Sequence, residues 1–343
     1  MHELLKLQQK IVPELMGLLE KRYNILRTIQ YNQPVGRRIL ANHLGLGERV
    51  VRSEISFLKD QNLIHIGIPG MTVTAEGDEI IEKLKDFIRD IKGLNQIEDF
   101  IKENLNIQKV IIVPGDVEED ETVMNELGKT AAKYLESIIK DNSIIAVTGG
   151  KTIKVVIDNL HNRPHFKNSI VVPARGGMGK RVEIEANTLA EKFANKIGAT
   201  YKLLHLPENL SDLAFSTILN EKSVKEVRDI LHNANFIIYG IGRADEMSRR
   251  RGIVQDQIEY IIEKGAVGEA FGYYFNGDGD VVYSTPSIGL TVDEVKNAQY
   301  LLAIAGEKSK AEAIVATEKN NIKGVLVTDE GTAREMVKLL SKN

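Results

Sequence analysis

Short β-branched runs alternate with stretches of helical spacing from about residue 106 to residue 343. Parallel strands need a long crossover connection, which is usually a helix. The alternation therefore predicts an α/β fold with a doubly wound, mainly parallel sheet, in which ligands bind where the C-terminal ends of strands meet loops. The predicted strands are 109–113, 143–147, 169–172, 201–206, 236–240, 281–283, 301–305 and 325–328, and helices such as 122–139, 152–160, 183–197, 223–233, 309–318 and 331–339 lie between many of them.

The composition excludes several classes of protein. A chain of 343 residues without cysteine has no disulfide scaffold, Cys-ligated zinc site, iron–sulfur centre or catalytic thiol. Its length predicts two domains of about 100–200 residues each. The first residues lack the basic-then-apolar pattern of a signal peptide, and no apolar run reaches about 18 residues. We therefore expect a soluble, cytoplasmic protein without a membrane partner.

Charge is distributed unevenly along the chain, although the net charge is only −3. Residues 21–66 contain eight basic and three acidic residues, whereas residues 93–343 contain 31 basic and 36 acidic residues. A local basic excess is the electrostatic footprint of a surface that binds a polyanion such as DNA. A solvated basic face is the alternative, and charge alone does not separate the two.

The pattern inside this basic stretch favours DNA binding. Two helices, 37–44 and about 48–61, are separated by Gly45, which supplies the positive φ of a tight turn. With Ala41 and Val51, this glycine completes the Ala-x3-Gly-x5-Val arrangement of a helix-turn-helix, whose second helix enters the DNA major groove. The candidate DNA contacts are Arg37, Arg38, Arg49, Arg52, Ser53 and Lys59.

Further helices and a hairpin are predicted around the helix-turn-helix. Residues 64–73 form a β-hairpin, the wing, and a long charged helix over 76–105 is interrupted at Gly93. That helix is either a linker or a dimerisation helix. Two helices precede the motif, over 4–19, bent or started at Pro13, and over 23–31. We assign 1–92 to a winged helix-turn-helix domain with its helical linker, and 93–343 to an effector-binding and oligomerisation domain.

One loop of the second domain is typical of an anion site. Residues 143–152 read as a buried strand, a small-residue turn and a helix start. Gly149 and Gly150 let backbone N–H groups approach an anion, and Thr148 and Thr152 add hydroxyl groups. The loop is not a nucleotide-binding P-loop, because Ile145 stands where that motif has its first glycine. A phosphate cradle and an ordinary turn between a strand and a helix both remain open.

Other strand ends carry single charged residues among small ones. Arg175 precedes a run of glycines, which suits a bidentate grip on an oxyanion. Residues 240–245 contain Gly-x-Gly without the third glycine of a dinucleotide motif. The triplet 249–251 is either a solvated helix end or a second phosphate contact. Glu269 is suited to accept hydrogen bonds from sugar hydroxyls, and Lys310 stands at a helix start.

Two patterns resemble metal sites without meeting their requirements. Residues 276–280 resemble a calcium loop, but Val281 occupies the position of its glycine and Ser287 that of its glutamate, so a hairpin turn is predicted. His161 and His165 have metal-like spacing, but Pro164 breaks the helix that would align them. We therefore predict no metal site.

Together these residues resemble the SorC family of bacterial sugar-responsive transcription regulators, specifically the members that control glycolytic genes in Gram-positive bacteria. The resemblance covers nearly the whole chain, from the helix-turn-helix to residues 325–333. Its most specific pieces are residues 240–242, 265–269, 287–291 and 328–330.

The resemblance implies an effector domain similar to sugar-phosphate isomerases and, for this branch, fructose-1,6-bisphosphate as the inducer that releases a repressor from its operator. It also implies a homo-oligomer, a dimer or a tetramer. The effector is a ligand, and no cofactor is implied. Carried onto this sequence, one phosphate would bind Thr148, Gly149, Gly150, Lys151 and Thr152 with support from Lys310, while Arg175 and Arg250 would approach the other phosphate or the sugar and Glu269 the hydroxyls.

A sugar-phosphate isomerase with an appended DNA-binding module is the main alternative. Such an enzyme needs a positioned base and usually a second acid–base partner. Asp245, Glu269 and Lys310 offer these groups in principle, but the candidate loops contain no dedicated histidine base. A nucleotide-dependent regulator is disfavoured by Ile145. The sequence therefore predicts a regulator rather than an enzyme.

Overall fold

The computed structural model of the chain describes residues 11–162, 165–176, 181–206, 216–285, 288–319 and 321–342. The chain divides into two compact units between Gln96 and Ile97. Predicted features at residues 4–10, 164, 177–180 and 287 lie outside the described residues. None of the described helices is both long and apolar enough to cross a membrane.

The first unit is a winged helix-turn-helix, as predicted. Gly45 adopts φ +60° and its N–H caps the carbonyls of Ala41 and Asn42, so that the second helix ends and the chain turns at once. The two strands form an antiparallel hairpin in which Ile64 pairs with Val73. The elements are α1 (Pro13–Asn32), α2 (Arg37–Leu44), α3 (Glu48–Asp60), β1 (Ile64–Gly67), β2 (Gly70–Val73) and α4 (Ala75–Ile91), and α5 (Leu94–Leu105) contains the boundary.

A contiguous apolar core holds the first unit together. Ala41 and Val51 are buried where α2 meets α3, which confirms the spacing argument, and the other inward side chains of α3 are buried as predicted. The predicted separate helix over 23–31 is wrong, because α1 is continuous over Pro13–Asn32. Pro13 is tolerated in its first turn, where the missing N–H has no helical partner in any case. The core residues include Tyr23, Ile25, Leu26, Ile29, Leu40, Ile55, Leu58, Met71, Ile81 and Ile88.

The long charged helix is interrupted where the sequence predicted. Helix α4 ends at Ile91, Gly93 adopts φ +66°, and α5 begins at Leu94. The Thr74 hydroxyl accepts a hydrogen bond from the Gly77 N–H and so caps the N-terminus of α4.

The second unit is a mixed α/β domain. Its elements, in chain order, are β3 (Lys109–Val113), α6 (Thr122–Ile138), β4 (Ile144–Val147), α7 (Lys151–Asn159), β5 (Ile170–Pro173), α8 (Ala186–Ile197), β6 (Thr200–Tyr201), α9 (Lys222–His232), β7 (Phe236–Gly240), β8 (Gly242–Arg243), α10 (Ala244–Arg250), α11 (Gln255–Glu263), β9 (Ala266–Ala270), β10 (Tyr273–Asn276), β11 (Val281–Ser284), α12 (Val292–Asn297), β12 (Tyr300–Ile304), α13 (Ala311–Glu318), β13 (Gly324–Asp329) and α14 (Glu330–Leu340).

Seven strands form the predicted parallel sheet, in the order β3-β13-β12-β7-β4-β5-β6. Side chains of one sheet face, such as Val147, Ile238 and Val327, pack with buried residues of α6, α7 and α8 in one core cluster. The predicted strand over 201–206 is wrong beyond its first residue, because only Thr200–Tyr201 pairs with β5.

A second sheet has four antiparallel strands, in the order β11-β10-β9-β8. The predicted strand at 281–283 exists as β11, but it belongs to this sheet and not to the parallel one. The predicted hairpin turn at 276–280 is confirmed, because the Asn276 side-chain oxygen accepts the N–H groups of Asp278 and Asp280 between β10 and β11.

The order of the parallel strands contains a topological switch point. From β4 the chain proceeds outward to β5 and β6, whereas from the neighbouring β7 it proceeds in the opposite direction to β12 and β13. The loops that follow β4 and β7 therefore diverge and leave a crevice at the carboxyl edge of the sheet. In open α/β sheets this crevice is where ligands bind.

Candidate functional site

The six predicted DNA-contacting side chains all lie on the surface of the first unit. Those of α3 lie outside the helix face formed by Val51, Ile55 and Leu58, which are buried. The five cations among the six form no ion pair with another described residue. They are therefore available to an external anion, which is what binding to DNA phosphates and base edges requires. The six are Arg37, Arg38, Arg49, Arg52, Ser53 and Lys59.

Two other cations of this unit, Lys21 and Arg22, are paired with a carboxylate of the protein and are therefore not counted among the candidate DNA contacts. Glu54 is buried, and its carboxylate accepts hydrogen bonds from Lys21 (Nζ to Oε1 2.6 Å) and Arg22 (Nε to Oε2 2.8 Å). Burial acts to raise the pKa of Glu54, but the hydrogen bonds and charges of the two cations outweigh it and hold the pKa below its usual value. The Arg22 guanidinium also lies 3.5 Å from the centre of the Phe57 ring. The basic excess counted from the sequence thus includes residues that stabilise the fold.

The loop after β4 lies at the switch point of the parallel sheet. The Thr148 hydroxyl accepts a hydrogen bond from the Gly240 N–H at 3.3 Å, which joins this loop to the end of β7. Gly149 leaves no room for a side chain, because a Cβ atom there would stand 2.7 Å from the Ile184 carbonyl oxygen. The Gly150 N–H donates to that same carbonyl at 2.8 Å. Its amide is therefore engaged within the protein.

Helix α7 begins immediately after this turn and points its N-terminus at the crevice. The first N–H groups of a helix have no partner inside the helix and carry partial positive charge, so they attract anions. Lys151 is exposed and Thr152 is half-buried, and neither side chain bonds to another described residue. The helix N-terminus, the hydroxyl and the ammonium group together offer what a phosphate needs.

Glu269 is the buried acid of the site. It lies on β9 opposite Gly242, two residues beyond the end of β7, and it accepts the Gly272 N–H at 2.6 Å. The guanidinium of Arg251 donates to the same carboxylate oxygen at 2.6 Å. Arg175, on the loop after β5, reaches the same place, because a Cβ atom on Gly272 would stand 2.8 Å from its Nη1 atom. Two of the predicted effector residues, Arg175 and Glu269, therefore converge.

Within the arginine triplet, the structure separates three roles that the sequence left undivided. Arg250 extends towards Glu246 (Nε to Oε1 3.8 Å) and 46% of its side chain is exposed. Arg249 lies 3.4 Å from Asp245. Only Arg251 turns inward to Glu269, with 17% of its side chain exposed. Sequence reasoning did not single out Arg251, since consecutive residues of the same type give no indication of direction.

Lys310 lies on a short helical turn that contacts β8. Its ammonium group is 3.0 Å from the Glu307 carboxylate. Glu307 has φ +89° and ψ 122°, a backbone conformation that is almost restricted to glycine and costs about 1–3 kcal/mol for other residues. Glu307 could not be recognised from the sequence, because its residue type gives no sign of a left-handed backbone.

A buried carboxylate at the end of β13 fixes this turn. Asp329 accepts hydrogen bonds from the Glu307 N–H at 3.3 Å and from the Thr332 hydroxyl at 2.5 Å. Burial raises the pKa of Asp329, although its hydrogen bonds act in the opposite direction. Lys308, next to Glu307, forms ion pairs with Asp116 (2.5 Å) and Glu119 (2.9 Å). The backbone of the turn is therefore held from two sides.

A third buried carboxylate, that of Glu318 at the end of α13, contacts no cation among the described residues. Glu318 accepts the Tyr239 hydroxyl at 2.7 Å and the Asn321 amide at 3.0 Å. Burial raises the pKa of Glu318 to about 7, against the smaller opposing effect of these two hydrogen bonds. The Tyr239 ring also packs against that of Phe271, in the turn between β9 and β10, with ring centres 4.5 Å apart and ring planes tilted by 42°.

The predicted effector residues thus form a continuous arrangement around residues 240–243. The loop of Thr148 bonds to Gly240, Gly242 pairs with Glu269, and the turn of Lys310 contacts β8. Arg175 joins them through Gly272, whereas Arg250 points outwards. No group of three or more metal-ligating side chains is found within the described ranges.

Comparisons with known proteins agree with this architecture. The family model “CggR N-terminal DNA binding domain” matches residues 18–88, and the model “Putative sugar-binding domain” matches residues 89–338. The second match alone covers more than half of the chain. A DNA-binding unit is therefore followed by a sugar-binding unit, which is the organisation of a sugar-responsive regulator.

The chain belongs to the SorC family of transcription regulators. It is 41% identical over 338 residues to the central glycolytic genes regulator of Bacillus subtilis, and the match covers 98% of this chain and 99% of that protein. It is 28% identical over 256 residues to the transcriptional regulator LsrR of Escherichia coli K12, across 72% of this chain and 78% of that one. These relatives are named as regulators and not as enzymes, so the isomerase alternative is not supported.

Solved structures show the same fold. The “putative SorC family transcriptional regulator” from Enterococcus faecalis is 37% identical, with a TM-score of 0.66, and the match covers 71% of this chain and 99% of that one. The full-length sorbitol operon regulator SorC from Klebsiella pneumoniae has a TM-score of 0.64 over 95% of this chain and 99% of that one. At 18% identity, the second likeness concerns the fold alone.

Proposed function

We propose that this protein represses glycolytic genes by binding operator DNA and that fructose-1,6-bisphosphate releases it. The observation that carries the effector half is the Thr148–Thr152 loop, which joins a helix N-terminus to the switch point of the sheet. The similarity to the Bacillus subtilis regulator supports the choice of glycolytic genes. The exposed cations of the winged unit support the proposal that the protein binds operator DNA.

A sugar bisphosphate fits the distribution of charge around the crevice. One phosphate is bound by residues 148–152 with Lys310, and Arg175 binds the second phosphate or the sugar. Arg250 reaches the ligand only if its exposed side chain turns away from Glu246. Glu269 accepts hydrogen bonds from the sugar hydroxyls beside the guanidinium of Arg251. Arg251 thereby fixes the orientation of this buried carboxylate.

The proposed mechanism is a shift between two states of a homo-oligomer. The operator-bound form is a dimer or a tetramer, and the sugar bisphosphate binds more tightly to the form that has low affinity for the operator. A preference of about 1–3 kcal/mol per site is the usual scale of such coupling. The coupling is reciprocal, so operator DNA must weaken sugar binding by the same factor.

The test is release of operator DNA by the sugar. The protein contains no tryptophan, so fluorescence anisotropy is measured on labelled DNA. We expect fructose-1,6-bisphosphate to lower operator affinity at least fivefold, and fructose-6-phosphate and inorganic phosphate to have little effect at the same concentration. Operator affinity that does not respond to millimolar fructose-1,6-bisphosphate would refute the inducer. Sedimentation of the complex with and without the sugar then reports the change in oligomer.

Thr152→Val tests the cradle separately from the DNA surface. The substitution keeps the shape but removes one hydroxyl, and a hydrogen bond to a charged group is worth about 1.5–3 kcal/mol. We therefore expect sugar affinity, measured by calorimetry, to fall about tenfold to a hundredfold while operator affinity is unchanged. Thr200→Val, on the edge strand β6, is the matched control. Equal losses in the two variants would mean that the loop does not bind the sugar.

A further inference from the structure

Glu307 combines an unfavourable backbone conformation with a position beside the proposed phosphate site. Its φ of +89° and ψ of 122° belong to a region that glycine occupies far more readily. Residues held in such conformations cluster at ligand-binding and switch regions, where surrounding structure enforces them. An observed outlier of this kind calls for a functional explanation.

The side chain of Glu307 binds the ammonium group of Lys310, which the proposed effector site requires. Its carboxylate lies 3.0 Å from the ammonium group of Lys310, which is the cation assigned to support the phosphate. With the Glu307 carboxylate in contact, only 15% of the Lys310 side chain is exposed. A phosphate oxygen that reached Lys310 would meet the negative charge of Glu307 at close range.

The surrounding contacts fix the backbone but leave this carboxylate able to move. The Glu307 N–H bonds to buried Asp329, and the next residue, Lys308, is held by Asp116 and Glu119. The only ion pair of the Glu307 carboxylate among the described residues is the one with Lys310, and 35% of its side chain is exposed. It can therefore turn into solvent without disturbing the turn that carries it.

We propose that Glu307 is an internal competitor of the effector: its carboxylate holds Lys310 in the empty protein and is displaced when a phosphate group binds. This inference rests on the proposed function, since it concerns the same site. It assigns to Glu307 the control of how much sugar bisphosphate is needed before the regulator responds. The strained backbone is retained because it places the carboxylate on Lys310.

The competition also selects for ligand charge. A dianionic phosphate attracts Lys310 more strongly than a single carboxylate does, and it gains several donors from the neighbouring helix N-terminus as well. A ligand with a single negative charge, or an uncharged sugar, gains too little to displace Glu307. A phosphate dianion at this end of the ligand is therefore necessary for binding, and sugars without phosphate are excluded.

Two substitutions in the full-length protein test the proposal. Glu307→Gln removes the charge and keeps the backbone strain, whereas Glu307→Gly removes both. We expect both variants to bind fructose-1,6-bisphosphate about 3- to 10-fold more tightly in calorimetry, the range of a partly screened ion pair. Both should release labelled operator at correspondingly lower sugar concentrations. The direction is diagnostic, because the loss of an ordinary structural contact weakens binding.

Glu335→Gln is the matched control. Glu335 and Lys338 form an ion pair with the same i,i+3 spacing on α14, so this variant loses an equivalent charge outside the proposed site. We expect its sugar affinity to equal that of the unchanged protein. Circular dichroism melts of all three variants establish that each one is folded before binding is compared.

Three results overturn the inference, and they are distinguishable. Weaker or unchanged sugar binding by Glu307→Gln shows that the carboxylate does not compete. Tighter binding by Glu307→Gly alone shows that backbone geometry, not charge, controls affinity. If the unchanged protein itself binds no sugar bisphosphate, the proposed function fails and this inference fails with it.

Discussion

The cations of the two units are held in opposite ways. On the winged helix-turn-helix, Arg37, Arg38, Arg49, Arg52 and Lys59 are exposed and form no ion pair with another described residue. Around the crevice of the second unit Lys151 is exposed, but five other cations contact carboxylates of the protein: Arg251 with Glu269, Lys310 with Glu307, Lys308 with Asp116 and Glu119, Arg250 with Glu246 and Arg243 with Asp245.

The difference corresponds to two kinds of anion recognition. Exposed cations bind a polyanion by releasing its counterions, so affinity depends steeply on salt and only weakly on the exact placement of each charge. Cations already paired inside a crevice bind a small ligand only if it offers more than the carboxylate it replaces. The first arrangement favours association with DNA in general, and the second favours selection of one ligand.

Glu269→Gln should produce the largest effect on the paired side of this comparison. The change leaves the charge of Arg251 without its buried carboxylate, and breaking a buried pair costs about 3–5 kcal/mol. We expect urea unfolding of the full-length protein to show a loss of that size in the second unit. Glu183→Gln, which removes the carboxylate of the exposed pair with Arg181, is the control and should leave the midpoint unchanged. A small loss of stability in Glu269→Gln would mean that the Arg251–Glu269 pair contributes no more than an exposed ion pair does.

Glu318→Gln examines a buried carboxylate that has no cation. The folded pKa of Glu318 is about 7 against an unfolded value of 4.5, so the unfolded chain loses its proton first as pH rises. This group's contribution to stability is fully present below pH 4.5, is lost between pH 4.5 and 7, and is constant above. We therefore expect the free energy of unfolding of the unchanged protein to include a decrease of about 3 kcal/mol over this pH range, and that of Glu318→Gln to lack it. Denaturation curves at successive pH values measure both.

The same experiment with Glu335→Gln supplies the comparison for Glu318. Glu335 is paired with Lys338 on the surface of α14, so we expect its removal to leave in place the pH dependence attributed to Glu318. Parallel pH profiles for Glu318→Gln and the unchanged protein would show that the pKa of Glu318 is the same in the folded and the unfolded chain, contrary to the effect of its burial.

Arg52→Ala tests the unpaired cations and has the smallest expected effect of the three. A base-contacting arginine is worth about tenfold to a hundredfold in operator affinity, and removal of one phosphate contact lowers the salt slope by about one. We expect anisotropy titrations over a salt series to show the loss with operator DNA and a smaller loss with unrelated DNA. Lys83→Ala, on α4, is the control in the same unit. Sugar affinity should not change.

Most of the fold follows from local patterns. The helix-turn-helix was predictable because Gly45, Ala41 and Val51 have the spacing that one tight turn demands, and the structure has its helices within a residue or two of the predicted ends. The parallel strands were predictable because buried strands are continuous apolar runs. The antiparallel sheet was missed, since strands such as β8 are too short for any pattern and β9 carries a buried glutamate among small residues.

The candidate site was predictable by residue type but not by direction. Glycines and hydroxyl residues after β4 indicate an anion loop because their chemistry is local. The engagement of the Gly150 amide with the Ile184 carbonyl depends on a segment more than 30 residues away. The inward turn of Arg251 and the left-handed backbone of Glu307 are likewise set by tertiary contacts, which residue order along the chain does not contain.

The edge position of β3 has a consequence for how the second unit is made. Lys109 pairs with Val325, so the first strand of the parallel sheet has no partner until about 200 further residues have been synthesised. At about 5–20 residues per second, that interval is roughly 10–40 s on the ribosome. During this time the apolar strand is exposed, and pairings so distant in sequence form slowly. The effector unit therefore depends on its last strand for completion, whereas the DNA-binding unit is assembled from neighbours in the chain and is able to fold as it emerges.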